Sequence, residues 1–294
     1  MNFIKRLFTP LAATLALGAA PSSAAPVRPA LWAVADADTT IYLFGTIHLL
    51  PRDYKWRTAR FDQAVDGSDQ LVVETIIDDK DPTKIMAAMS SLAFSPGLPP
   101  LAERVPPKKR AALAGAVKKS GFPPQALDRM ETWAAAFILL GNQFHDMGLK
   151  GGEGVETVLR NAFTTKGKPI GELETNVEQL GFFDTLPEKA QRDLLEGAIS
   201  APQDMTKDFN GMLSAWSRGD VKAIARAFNH DLAASPDLQL ALIKRRNQNW
   251  TRWIEQRLSA PGSVLIAVGA GHLAGKDSVV AMLKKDGYRV RQVQ

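Results

Sequence analysis

Two apolar runs near opposite ends of the chain stop in the same way. Ile41–Phe44 is followed by Gly45-Thr46-Ile47-His48-Leu49, and Val264–Val268 by Gly269-Ala270-Gly271-His272-Leu273. Each reads as a buried strand, then Gly-x-x-His-Leu. A strand that feeds a glycine turn delivers the next residues to the carboxyl edge of a sheet, where open α/β folds build ligand sites. Glycine admits φ > 0 and close backbone approach, so each histidine is expected at a crevice. The chain holds four histidines, and two of them share this pattern.

Glu74 belongs to the same edge by its position, at the end of the apolar run Leu71-Val72-Val73. A carboxylate there is costly to bury unless it is paired or bound to a metal. Two imidazoles and a carboxylate form a metal-ligand set. They equally form an acid–base set, because histidine titrates near neutrality and a carboxylate can orient it. The spacing matches no sequential metal motif such as His-Glu-x-x-His, so both chemistries stay open. Arg246-Asn247 sits in a long helical pattern beside Trp250 and Trp253; it is either a solvated helix face or an oxyanion donor. Glu174 ends a further strand and could also face the crevice. Glu153 and Glu156 open a helix, where carboxylates complement the dipole. His145 and His230 have no matching partners and read as structural.

The remaining pattern places strands at the two ends and near residue 170, with helices between. Ala30–Ala35 and Thr39–Phe44 read as strands joined by Asp36-Ala37-Asp38; Gln70–Ile77, Lys168–Glu174, Ser263–Val268 and Tyr288–Val293 read as four more. Helical periodicity covers 56–66, most of 81–149, Gly151–Thr164, 176–258 and Asp277–Lys285. Asp81-Pro82 opens a helix in the cap-then-proline manner, and Leu240, Ile243, Trp250, Ile254 and Leu258 form one apolar face along Pro236–Leu258. The fold expected is α/β: a mixed sheet from the N- and C-terminal strands, flanked by helices, with a large central helical insertion at about 81–165 and 176–258.

Several functions are excluded. Cysteine is absent, so there is no disulfide framework, thiol nucleophile or cysteine metal site. Gly269-x-Gly271-x-x-Ala274 lacks the following βαβ unit and acid of a dinucleotide site. Gly275-Lys276 is not a phosphate loop, and no Gly-x-Ser-x-Gly elbow occurs. Met1–Ala24 combines Lys5 and Arg6, the uncharged run Leu7–Ala20 and small residues before Ala25, the pattern of a secretory signal peptide cleaved after Ala24. That run is shorter than the ~20 residues of a membrane span. The expectation is one domain, 25–294, working in the periplasm or secreted, with no stable membrane span after cleavage. Net charge is +5 and falls once Lys5 and Arg6 leave, without the clustered basic stripe of a nucleic-acid binder.

These residues resemble the TraB/GumN family, which includes the Tiki proteins. The resemblance rests on Leu43–Leu49, Val73-Glu74, Gly167-Lys168-Pro169-Ile170, Leu173-Glu174-Thr175, Glu178-Gln179-Leu180, Arg246-Asn247 and Val268–Gly275. It implies a fold like that of the erythromycin esterase and ChaN-like proteins, and a metal-dependent protease activity. By motif, the essential residues fall on His48, His272 and Glu74, with Arg246-Asn247 as the Arg-Asn pair. Relatives carry a Gly-Leu-Asp type sequence where this chain has Gly151-Gly152-Glu153-Gly154. The expected function is a metal-dependent hydrolase, a peptidase first and a small-ester hydrolase next. A manganese, cobalt or zinc ion would be held by His48, Glu74 and His272. The alternatives are a metal-free His/Glu hydrolase with the same residues, or a non-catalytic haem- or metal-binding protein. Oligomeric state is not legible.

Overall fold

The computed structural model describes residues 27–78, 81–149, 154–233 and 235–294. The expected signal peptide, 1–24, and Glu153 lie outside them, as does the side chain of His230.

Among the described residues, six strands form one mixed sheet: β1 (Leu31–Ala35), β2 (Thr39–Thr46), β3 (Gln70–Val73), β4 (Ile170–Glu172), β5 (Gly262–Gly269) and β6 (Val290–Gln292). Their order is β4-β3-β5-β2-β1-β6. The four strands β4, β3, β5 and β2 run parallel; β1 is antiparallel to β2, and the edge strand β6, antiparallel to β1, runs in the direction of the four. Asp36 turns the β1–β2 hairpin, its Oδ1 accepting the Thr39 N–H at 2.9 Å. The mixed α/β sheet expected from the terminal strands is therefore present. Several strands are shorter than their patterns suggested; β3 stops at Val73, so Glu74 is the first residue beyond it.

Among the described residues there are thirteen α-helices, in chain order. They are α1 (Ala59–Gly67), α2 (Thr83–Leu92), α3 (Arg110–Ser120), α4 (Pro124–Asp128), α5 (Thr132–Asp146), α6 (Val155–Thr165) and α7 (Asn176–Asp184). Then come α8 (Glu188–Ala198), α9 (Pro202–Ser217), α10 (Val221–Ala233), α11 (Pro236–Gln239), α12 (Arg245–Leu258) and α13 (Val279–Lys285). Helix starts have local causes. The Thr58 hydroxyl accepts from Phe61 N–H at α1, and Ser278 accepts from Ala281 N–H at α13. Thr175 and Glu178 form a reciprocal capping box at α7, which satisfies two otherwise orphaned amide donors. At α2 the expected cap is displaced by one residue: Pro82 holds the cap position and Asp81 accepts the Thr83 N–H at 3.2 Å.

Alternation along the strands sends Leu31, Phe44, Leu71 and Val73 to one face of the sheet, with Trp56, Phe61, Phe163 and Trp216. It sends Trp32, Leu43, Val72 and Ile266 to the other, with Trp250, Ile254 and Leu283. A sheet buried on both faces needs continuous apolar strands, and these supply them. The helical region is thus of two kinds. Helices α6, α9 and α12 cover the sheet, while α2, α3, α5, α7 and α8 form a separate cap around Trp133, Leu127 and Leu195. Among the described residues no helix is long and apolar enough to cross a membrane.

Candidate functional site

Parallel pairing of β2 with β5 brings the two Gly-x-x-His motifs side by side, one residue out of step: Gly45 lies opposite Val268, and Thr46 opposite Gly269. Neither Gly45 nor Gly269 has positive φ. Their role is close approach. At Gly269 (φ −49°, ψ 136°) the position a Cβ would take lies 3.1 Å from Glu74 Oε1, 3.6 Å from the His272 ring and 3.9 Å from His48 Nε2. The three residues singled out from sequence therefore converge on the space above one glycine.

Each is held by a different set of partners. His48 is on the open side, its side chain 69% exposed, with Nδ1 2.6 Å from Glu156 Oε1. Thr46 Oγ1 donates to the same oxygen at 2.5 Å. The start of α6 clamps the end of β2: Val155 N–H donates to the Ile47 carbonyl at 3.2 Å, and Gly154 lies so close to the His48 carbonyl that a Cβ would stand 2.0 Å from its oxygen. Only glycine fits there.

Glu74 is buried. Its Oε1 accepts Gly269 N–H at 2.6 Å; its Oε2 accepts Arg246 Nη2 at 2.7 Å and Gln179 Nε2 at 3.3 Å. Arg246 also forks onto Glu174, through Nε at 3.0 Å and Nη2 at 2.8 Å. Trp250 Nε1 donates to Glu174 Oε1 at 3.0 Å, and the guanidinium lies 4.8 Å from the Trp250 ring centre. Arg246 is 5% exposed, so the solvated-face alternative for Arg246-Asn247 is set aside. His272, also buried, places Nδ1 2.7 Å from Asn247 Oδ1. Because Asn247 Nδ2 faces the carbonyls of Asp277 (2.7 Å) and His272 (3.4 Å), the hydrogen-bond network assigns the proton to Nδ1. The bare Nε2 then accepts from Arg246 Nη1 at 3.3 Å. Asn247 has both amide ends engaged and positions His272, and Arg246 likewise directs its N–H groups to Glu174, Glu74, His272 and the Leu242 carbonyl (Nη1, 3.4 Å).

These partners set three different proton affinities. The adjacent Glu156 carboxylate raises His48 to about 9. Burial works against ionised Glu74, but the positive charge available on His272, Arg246 and His48, with Gly269 N–H, holds it down to about 2. Burial lowers His272 to about 3 and keeps it neutral. Burial also raises Glu174 above the usual carboxylate range despite Arg246. Of the three sequence candidates, His48 has by far the highest proton affinity and becomes a free base as pH rises through about 9.

The donor set bears directly on the expected metal site. Imidazole and carboxylate are suitable ligand types. However, Arg246 already faces both the lone pair of His272 and one oxygen of Glu74. Among the described residues no group of three His, Asp or Glu side chains is placed to hold a metal ion. As arranged, the set fits a guanidinium and not a second cation.

Sequence reasoning placed Glu156 at a helix start and missed its bond to His48. Its pairing depends on how α6 docks, and no local pattern signals it. Glu174, weighed as a possible crevice residue, is in the network. His145 lies exposed at the end of α5, away from the site.

Comparison with known proteins decides the family. A model of the TraB/PrgY/gumN family matches residues 30–292. The chain belongs to this family. It is 25% identical over 260 residues to "Uncharacterized protein YbaP" of Escherichia coli (strain K12), covering 87% of this chain and 92% of the relative. The YbaP of Shigella flexneri is 25% identical over 247 residues, covering 83% and 87%. No solved structure matches the chain significantly. Within this TraB/PrgY/gumN protein, the space over Gly269 can be probed directly. Gly269→Ala has an ordinary backbone conformation for alanine, so it should fold, but its methyl would stand 3.1 Å from the buried Glu74 Oε1 and should lower the melting temperature. Any catalysis at the site should fall by about 10²-fold, the usual cost of displacing reacting groups by an ångström. A fully active variant would place the chemistry elsewhere.

Proposed function

We propose that this chain is a hydrolase of a carboxylic derivative, a peptide or a small ester, in which His48 activates water. The observation that carries this reading is the His48–Glu156 pair at 2.6 Å, with Nε2 facing the open space over Gly269. Glu156 fixes the Nδ1–H tautomer, so neutral His48 offers Nε2 to a water. The water gives its proton to Nε2 as its oxygen attacks the carbonyl carbon. Arg246, whose N–H groups are all engaged by Glu174, Glu74, His272 and the Leu242 carbonyl, acts on the developing oxyanion through its positive charge and not through a direct hydrogen bond. The tetrahedral species then collapses, and the imidazolium returns the proton to the departing amine or alkoxide. Glu74, held near 2, is too weak a base for this step; it anchors Arg246. Work in the periplasm or outside the cell is part of the proposal and rests on the residue 1–24 pattern.

A metal-dependent version of the hydrolysis has one observation in its favour. The Asn247–His272 bond leaves Nε2 of His272 as a lone pair, the orientation typical of a metal-bound histidine. Arg246 would have to withdraw to admit the ion. The test is a screen of nitrophenyl esters and peptides with residues 25–294, with and without chelator, beside elemental analysis. Turnover that survives chelation and drops about 10²-fold or more in His48→Ala is expected. Turnover lost to chelator and restored by manganese, cobalt or zinc would favour the metal version. Hydrolysis unaffected by His48→Ala would rule out this site.

A further inference from the structure

The catalytic groups occupy one wall of a cleft of about 490 Å³. The cap contributes an apolar surface to it, Phe137 on α5 and Leu180 and Phe183 on α7, with Ile77 also in the lining; Thr157 and Arg160 of α6 line the same cleft. The hydrolytic steps use none of these side chains. The apolar wall is rigid. Phe137 and Phe183 meet edge to face at 4.7 Å, and both rest on Trp133, at 5.5 and 6.3 Å. Trp133 is fully buried and its Nε1 donates to Asp184 at 3.2 Å. Ile77 is a large apolar side chain left 42% exposed beside this wall. A preformed apolar surface facing a few convergent polar groups is the usual form of a small-ligand site.

We propose that this wall binds a bulky, uncharged apolar group, aromatic or branched aliphatic, carried by the substrate next to the scissile carbonyl. The inference rests on the hydrolase reading for the word substrate. It commits the site to hydrophobic acyl or aminoacyl groups, because Phe137, Leu180 and Phe183 offer a group seated on them apolar contact and no hydrogen bond, while Arg160, which lines the same cleft, turns its guanidinium to the Ile77 carbonyl. The wall selects the substrate while His48 performs the proton transfer.

Two measurements on residues 25–294 test it separately from hydrolysis. The first is binding of 3-phenylpropionamide, a neutral amide, against acetamide, followed by saturation-transfer NMR. The phenyl compound should bind at least about ten-fold more tightly, the usual value of a few methylenes in an apolar pocket. Phe137→Ala should weaken it further than three-fold. Because Phe137 touches the cap core, Ile77→Ser, at an exposed lining position, is the second variant, and it should also weaken binding with an unchanged melting temperature. The second measurement is kcat/KM for the nitrophenyl esters of 3-phenylpropionate and acetate, expected to differ at least about ten-fold in the same direction. Equal binding of both amides, or binding indifferent to both variants, overturns the pocket. Ester turnover without acyl preference also overturns it and leaves the hydrolase reading standing. Selective binding with no turnover of any ester or peptide does the reverse: the pocket stands and hydrolysis falls.

Discussion

On the proposed hydrolytic mechanism, replacing Glu156 by Gln will move the ascending limb of the pH–rate profile from about pH 9 toward 6.5 and lower its plateau by about 10²–10⁴-fold. His48 holds its proton up to about 9 because of the Glu156 carboxylate. A protonated imidazole cannot take a proton from water, so wild-type kcat/KM should rise with pH and level off above 9. At pH 7 only about 1% of His48 is the free base, two pH units below its titration. Removing the carboxylate's charge frees the base at lower pH, yet it also loosens the ring and removes the charge that stabilises the imidazolium. The limb therefore shifts down while the maximum falls. The same pair sets a stability signature. His48 titrates higher in the folded chain than its ordinary 6.5, so its contribution is complete below 6.5 and disappears as pH rises through about 9. With 69% of the side chain exposed, water screens much of it, and the change in melting temperature should be small. In Glu156→Gln that change should flatten. The pH–rate profiles of the two proteins, with melting curves at pH 6 and 9.5, are the check. An ascending limb that stays near 9 in the variant would mean that His48 is not the titrating group.

What the sequence disclosed follows from how local each signal is. The twin Gly-x-x-His runs and the acid after Val73 are written in adjacent residues, and the parallel sheet carries them to one edge without further help. Glu156 was invisible because its partner is reached only through the docking of α6 on β2. Arg246 was ambiguous for a different reason. Lys244, Arg245 and Gln248 surround it, and a charged residue among exposed polar neighbours reads the same whether it faces water or two carboxylates. The apolar face expected along Pro236–Leu258 failed in phase. A π-turn at Leu240–Lys244 adds a residue to the winding, and such turns recur at functional sites. Trp250, Ile254 and Leu258 remain buried, but Leu240 is rotated out to 39% exposure. The wider turn comes just before Arg246 and Asn247, the two residues α12 directs at the site. A strict 3.6-residue period cannot anticipate it.

Arg246→Met should be the most destabilising single change in the site, by about 3–5 kcal/mol at pH 8. The substitution keeps the apolar stem against Trp250 but leaves Glu74 and Glu174 buried, at 8% and 5% exposure, with no cation between them. The loss should depend on pH with a definite sign. In the wild type, Glu74 titrates at about 2, below its ordinary 4.5; its contribution is present above 4.5 and is lost as pH falls toward 2. Without Arg246, burial and mutual repulsion should raise both carboxyls above 4.5. The folded variant then binds more protons than its unfolded chain between 4.5 and the new values, so its stability rises as pH is lowered through that window. Urea midpoints at pH 8, 6.5 and 5 should show the gap to wild type narrowing. The triple variant Arg246→Met/Glu74→Gln/Glu174→Gln should recover much of the loss at pH 8, since a neutral set of similar shape replaces a broken ion network. A gap that is the same at every pH would reduce Arg246 to a packing role. The network also bears on chemistry. By holding Glu74 ionised and offering a donor to the lone pair of His272, Arg246 leaves His48 as the group free to exchange a proton over Gly269. Loss of Arg246 should therefore add a second, more acidic limb to any surviving pH–rate profile, as the released carboxyls begin to titrate in the working range.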